Sequence, residues 1–169
     1  VISLYDKNIK TAVAPLGTSL TDSHLQLSWK YVNKPTLMFD GDTSGLKASF
    51  KSAVMSLPYL TPSKLLQFVI LPNQYDPDTY INAFSLNEFA KYLKNPLSIV
   101  DFIFEESSKS IDLSKSDNKV IFDNYIDELV SNIKDTKIKY FYKNEFKTLF
   151  FKKLKSFSIK KNSISIKKK

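Results

Sequence analysis

Hydrophobic positions in the first half of the chain fall into short unbroken runs rather than one steady period. Residues 11–14, 36–39 and 65–71 are such runs, halted by Pro15, by Asp40 and Gly41, and by Pro72. Runs of this length without alternation predict strands covered on both faces. Between them the spacing becomes helical. Leu25, Leu27, Trp29 and Tyr31 form a broad apolar face behind a cap at Thr21 or Asp22, and Leu46, Phe50, Val54 and Leu57 follow Gly45 at helical intervals as far as Pro58 and Pro62. Residues 1–9 read as the end of a helix, and residues 78–84 as a short one. Strands alternating with helices in this way predict an α/β fold, a parallel sheet with flanking helices.

Beyond Ser85 the strand signals stop. Ser85 and Glu88 have the spacing of a capping box for a helix to Lys94, and residues 97–105 and 118–133 read as amphipathic helices. A last helix is expected from Thr136, with Ile138, Phe141, Glu145, Leu149 and Leu154 in rough register. The expected organisation is a sheet-bearing part at residues 1–84, a helical subdomain at 85–155 and a Lys-rich, low-complexity tail at 156–169 that composition predicts to be disordered.

Composition narrows the chemistry. The 169 residues contain no cysteine and one histidine, His24, which excludes disulfides, thiol catalysis, Cys-ligated zinc and a His-based zinc site within this chain. No apolar run approaches the ~20 residues of a membrane span, and no secretory pattern opens the chain, so a cytoplasmic protein without a membrane partner is expected. The net charge of +8 is uneven: from Lys137 onward 12 lysines face the single acid Glu145, whereas 13 lysines face 16 acids before it. All 25 basic residues are lysine, so the bidentate guanidinium contacts common in phosphate and base recognition are missing. The basic end reads first as solvated surface, with a DNA-binding arm as the competing reading.

Each expected strand ends at a chemically suggestive place. Gly17, Thr18 and Ser19 follow the first, Asp40, Gly41 and Asp42 the second, and Asp76, Pro77 and Asp78 the third. All three clusters would then lie at the carboxyl edge of one sheet, where open α/β folds bind ligands. Two Asp-x-Asp pairs converging there would repel unless a divalent cation neutralises them. Magnesium suits such a site, because it takes a few carboxylate oxygens, keeps several waters and accepts phosphate oxygens. Either pair alone has an ordinary reading, a polar turn or a helix cap; their shared topological position points to metal. Asp40, Asp42, Ser44 and Gly45 imitate the start of a calcium loop, but Lys51 stands where a bidentate Glu is required. Asp40, Asp42 and Thr43 also fit, superficially, the motif of haloacid-dehalogenase-like phosphatases, with Asp40 as nucleophile, and this is the competing enzyme reading.

Residues 14–21 (Ala-Pro-Leu-Gly-Thr-Ser-Leu-Thr), residues 37–48 (Leu-Met-Phe-Asp-Gly-Asp-Thr-Ser-Gly-Leu-Lys-Ala) and Asp76-Pro77-Asp78 together resemble the TOPRIM core of the bacterial DnaG-type DNA primase family. The likeness continues through residues 96–104 and, more loosely, 138–154, and so covers residues 1–155. It implies a TOPRIM-like sheet followed by helices, and a polymerase that makes short RNA primers on single-stranded DNA by metal-dependent nucleotidyl transfer. By the same resemblance Asp40 and Asp42 are the catalytic metal ligands, Asp76 and Asp78 the second acidic pair, and Mg²⁺ or Mn²⁺ the ion. The implied partners are the DNA template, nucleoside triphosphates, the RNA primer and, through a module not found in this sequence, the replicative helicase.

Gly17, Thr18 and Ser19 would approach a phosphate through main-chain N–H groups or form a structural turn, and Lys47 would contact phosphate or belong to a solvated helix face. In the family a metal-binding Glu precedes the segment that matches Val1 onward, and a zinc-binding template reader lies further upstream. The expectation is therefore a fragment, a partial TOPRIM domain lacking its first strand and incomplete as an isolated chain. A non-catalytic remnant that holds nucleic acid with its basic tail is the third reading.

Overall fold

The computed structural model describes residues 1–15, 19–72 and 74–166, with the backbone alone from residue 157 onward. Its elements are α1 (Ile2–Asp6), α2 (Asp22–Ser28), β1 (Thr36–Phe39), α3 (Thr43–Ser56), a 3₁₀ turn (Leu57–Tyr59), β2 (Gln67–Ile70), α4 (Pro77–Ala83), α5 (Leu86–Lys94), β3 (Leu97–Ser98), α6 (Ile99–Lys109), α7 (Ser116–Ser131) and α8 (Thr136–Ile166). They form two compact units, one of Val1–Ser56 with Pro62–Ile99, the other of Leu57–Thr61 with Val100–Lys169. The division falls at the first turn of α6, so α5 and β3 belong with the sheet.

In the first unit the sheet order is β1-β2-β3. β1 and β2 are parallel, paired from Thr36 with Gln67 to Phe39 with Ile70. β3 is antiparallel to β2, so the sheet is mixed where a wholly parallel one was expected. Two sequence expectations change here. Residues 11–14 form no strand; the run is four residues long and ends at Pro15, which has no N–H for a ladder. Leu97 and Ser98, expected to open a helix, instead pair with β2, and α6 starts at Ile99. Periodicity over residues 97–105 could not separate those two positions from the helix, whereas the free edge of β2 could. Lying between two neighbours, β2 buries Phe68 and Val69 on opposite faces, while every residue of the edge strand β1 is only half-buried.

Local signals set the helix starts. Thr21 accepts from the His24 N–H, and the Thr21 N–H donates to His24 Nδ1 at 3.2 Å, so the only histidine closes a capping box on α2. Trp29, just beyond α2, anchors it by donating its indole N–H to the Leu65 carbonyl at 2.8 Å. Ser85 accepts from the Glu88 N–H at 3.2 Å, but Glu88 pairs with Lys91 rather than closing the box.

The second unit is helical. Phe122 of α7 lies edge-on to Phe104 of α6 at 5.6 Å and beside Phe150 of α8 at 5.5 Å. Ile126, Leu129 and Val130 of α7 and Ile138 and Phe146 of α8 extend this core. Fully burying each such side chain contributes about 1.5–3 kcal/mol. The backbone of α8 is helical through Ile166, into the stretch 156–169 for which composition predicts disorder. No helix among the described residues is long and apolar enough to cross a membrane.

Candidate functional site

Because β1 and β2 are parallel and in register, their carboxyl ends Phe39 and Ile70 stand side by side. The segments that follow leave the sheet at the same edge. One carries Asp40, Gly41 and Asp42, the other Tyr75, Asp76 and Asp78. A backbone hydrogen bond ties them, the Gly41 N–H donating to the Tyr75 carbonyl at 3.1 Å. A Cβ at Gly41 would lie 2.2 Å from the Pro72 carbonyl oxygen and 2.4 Å from that of Leu71. Gly45 is as constrained, since a Cβ there would stand 2.1 Å from the Asp40 carbonyl oxygen. The two glycines of the motif therefore sit where backbone meets backbone, one between the segments and one between α3 and Asp40.

Asp42 and Asp76 both cap helices. Asp42 Oδ1 accepts from the Gly45 N–H at 2.6 Å, which starts α3 at Thr43. Asp76 Oδ1 accepts from the Thr79 N–H at 2.8 Å and from the Thr79 hydroxyl at 3.0 Å, while the Asp76 N–H donates back to Thr79 Oγ1 at 3.0 Å. The Thr79 backbone bond, against a smaller opposing effect of burial and with help from the Thr79 hydroxyl and the Asp78 N–H, holds the Asp76 carboxyl below its ordinary value.

Asp40 differs. Its carboxylate accepts no hydrogen bond among the described residues, and its pKa is raised by partial burial first, then by the negative charges of Asp76 and Asp42. An acid that feels two neighbouring acids and has no donor of its own is placed to take a cation.

Of the four anticipated carboxylates, Asp76 and Asp42 both come within electrostatic reach of Asp40. Asp78 is engaged elsewhere: its Oδ1 accepts from the Ser3 hydroxyl of α1 and from Asn82 Nδ2 at 3.1 Å. Among the described residues no group of three or more acids, histidines or cysteines is arranged to hold a metal ion. The donors suit a hydrated hard cation that takes one or two carboxylate oxygens and fills its shell with water and phosphate, because Asp40 is unpartnered and Asp42 and Asp76 each keep a second oxygen beyond the capping bond.

Gly17 and Thr18 lie outside the described residues. Ser19 is exposed, two residues before the Thr21 cap, and Lys47 is exposed on α3 with no partner among the described residues. Sequence reasoning passed over two contributors. Thr79 completes the cap of α4, and its signal was the Asp-x-x-Thr spacing. Tyr75 offers the carbonyl that locks Gly41 and packs its ring edge-on to Tyr80 at 5.6 Å and Phe84 at 5.3 Å; no periodic pattern marks it.

Comparison with known proteins places these residues in context. Residues 1–81 match a family described as Toprim-like. A DNA primase of Buchnera aphidicola subsp. Acyrthosiphon pisum is 40% identical over 119 residues, 70% of this chain and 21% of the relative. A DNA primase of Rickettsia felis is 30% identical over 154 residues, 91% of this chain and 26% of the relative. The chain therefore spans about a quarter of the length of the curated relatives it matches. Among solved structures, a DnaG primase catalytic domain bound to single-stranded DNA superposes with a TM-score of 0.79 at 28% identity, over 88% of this chain and 48% of that one. The Escherichia coli primase catalytic core gives 0.77 at 28% identity, over 86% and 46%.

Proposed function

Because the chain belongs to the DnaG-type DNA primase family, we propose that it carries the metal-binding carboxylates of a polymerase that synthesises RNA primers on single-stranded DNA. The observation that carries this reading is the unpartnered Asp40 carboxylate, hemmed in by Asp76 and Asp42 and locked in place by the bond from Gly41 to Tyr75. Asp40 is the principal ligand, and the outer oxygens of Asp42 and Asp76 complete the acidic side of the site. A divalent ion there, Mg²⁺ or Mn²⁺, would neutralise the triphosphate and lower the pKa of the primer 3′-hydroxyl during in-line displacement. Asp78, tied to Ser3 and Asn82, holds α4 and with it Asp76.

The chain's own part is positional. The capping bonds fix Asp42 and Asp76 before any ligand arrives, so little side-chain freedom is lost on binding. Partial burial, then the charges of Asp76 and Asp42, raise the Asp40 pKa, and a bound cation would offset that cost of its ionised form. Ser19 and Lys47, both exposed, are available to phosphate oxygens of nucleotide or template. The template, nucleoside triphosphates and the RNA primer are the partners of this reading; none of the described residues is assigned to the helicase.

The phosphatase reading requires Asp42 to act as a free acid and base, whereas its Oδ1 is committed to the Gly45 N–H. The relatives named above are DNA primases, which favours neither that reading nor a non-catalytic remnant.

A chimera provides the test: this chain replaces the matching segment of the Buchnera primase, and primer synthesis on single-stranded DNA is measured. Synthesis by the chimera that falls at least 100-fold with Asp40→Asn, with the fold intact by circular dichroism, supports the reading. Synthesis indifferent to that substitution overturns it.

A further inference from the structure

The lysines of α8 divide into two populations. Lys139, Lys143 and Lys153 are used within their own unit, donating to the Ser131 carbonyl at 2.9 Å, to Asp127 at 3.0 Å and to Ser108 Oγ at 2.5 Å. Lys147, Lys152 and Lys155 are exposed and make no hydrogen bond or ion pair among the described residues, and Lys137 is the same. Three exposed rings stand among these unpaired cations: Tyr140 is 64% accessible, Phe141 65% and Phe151 59%.

Helical geometry aligns them. Tyr140 and Phe151 are eleven residues apart, three turns, so one stands above the other; Lys147 and Lys155 fall on the same face, with Phe141 and Lys152 along its border. From Lys137 to Lys155 the strip is about 27 Å long, room for several nucleotides. The adjacent helix α7 exposes Asp117, Asp123 and Glu128, none of which is paired with a lysine of the strip among the described residues. With no arginine in the chain, stacking has to come from aromatic rings.

We propose that this face of α8 binds single-stranded DNA, with Tyr140, Phe141 and Phe151 stacking on unpaired bases and the four free lysines meeting the phosphates. Alternating rings and cations are what an unpaired strand requires: its bases present open faces, which a duplex hides, and its charge is neutralised with release of counterions. The choice of DNA as occupant rests on the primase reading. The strip itself does not involve the carboxylates, so it would survive the failure of their assignment.

The test is fluorescence anisotropy of a labelled 20-mer of deoxythymidine with the full chain. Tyr140→Ala and Phe151→Ala are each expected to weaken binding about tenfold without changing its salt dependence. Lys147→Gln with Lys155→Gln should flatten the slope of log affinity against log salt by about 1.4, roughly 0.7 per lysine. Replacing the lysines at 160, 161 and 167–169 by Gln should leave the loss caused by each ring substitution unchanged. Tyr140, Lys147, Phe151 and Lys155 are exposed, and helix content by circular dichroism guards against misfolding. Equal affinity for a duplex of the same length, or indifference to both ring substitutions, overturns the proposal. So does a sedimentation mass that drops from dimer to monomer with the ring substitutions, which would mean that a second copy covers the face.

Discussion

Gly41 and Tyr75 are joined backbone to backbone, the N–H of the first donating to the carbonyl of the second at 3.1 Å. That bond couples the end of β1 to the segment after β2 and fixes the spacing between Asp40 and Asp76. Closeness of the chains is its condition, since the carbonyls of Leu71 and Pro72 already occupy the space a side chain at Gly41 would need.

Gly41→Ala should therefore act on stability and on the acids together. Overpacking against main-chain oxygens that cannot swing aside costs about 3 kcal/mol, or roughly 6–12 °C in melting temperature for a chain of this size. As the segments separate, the Asp40 pKa should drop toward the ordinary carboxylate value. Thermal denaturation and carboxyl NMR titration read the two effects; a wild-type melting point with an unchanged Asp40 would refute the coupling.

Asp40 and Asp76 should have opposite effects on stability with pH. The Asp40 pKa is raised, so the folded state holds this proton more tightly, and its ionisation becomes a penalty as pH rises through the unfolded value of 3.8 and then the folded value. Asp76 is lowered, so its contribution is present above 3.8 and is lost as pH falls through its folded value. At neutral pH Asp40→Asn should stabilise and Asp76→Asn destabilise, each by a fraction of about 1 kcal/mol because both carboxylates meet solvent. Near pH 3 both differences should shrink. Melting curves from pH 3 to 7 check the signs.

Magnesium should reverse the first of these effects. At a concentration a hundred times its dissociation constant, a cation that binds only the folded protein adds about 2.7 kcal/mol. Wild type should then become the more stable of the pair, with Asp40→Asn gaining little. A melting temperature that rises equally in both proteins would exclude Asp40 as a ligand.

Gln74 is exposed and adopts φ 77°, a left-handed conformation that favours glycine. Gln74→Gly should stabilise the turn before Tyr75 by about 1 kcal/mol, less whatever glycine adds to the entropy of the unfolded chain. A rise of roughly 2–4 °C in melting temperature is expected, and a fall would show that the side chain contributes an interaction outweighing the strain.

What the sequence could reveal was whatever neighbouring residues decide among themselves. The caps at Thr21, Asp76 and Ser85, the start of α8 at Thr136, and the loops after β1 and β2 follow from local rules of hydrogen bonding and chain stiffness, and all were legible in advance. The acidic motif was legible too, because its glycines and aspartates carry their constraint in their identity.

Pairing between distant segments was not. Whether residues 11–14 or Leu97 and Ser98 would join a sheet depended on which chain reached the edge of β2, and short apolar runs look alike until that edge exists. The fate of the four aspartates was settled in the same way. Their spacing is written in the chain, but Asp78 turned to Ser3, 75 residues away, while Asp40 was left without a donor and facing Asp76. Such outcomes belong to tertiary structure because electrostatic and hydrogen-bonding energies depend on separation in space, and separation in sequence does not set it.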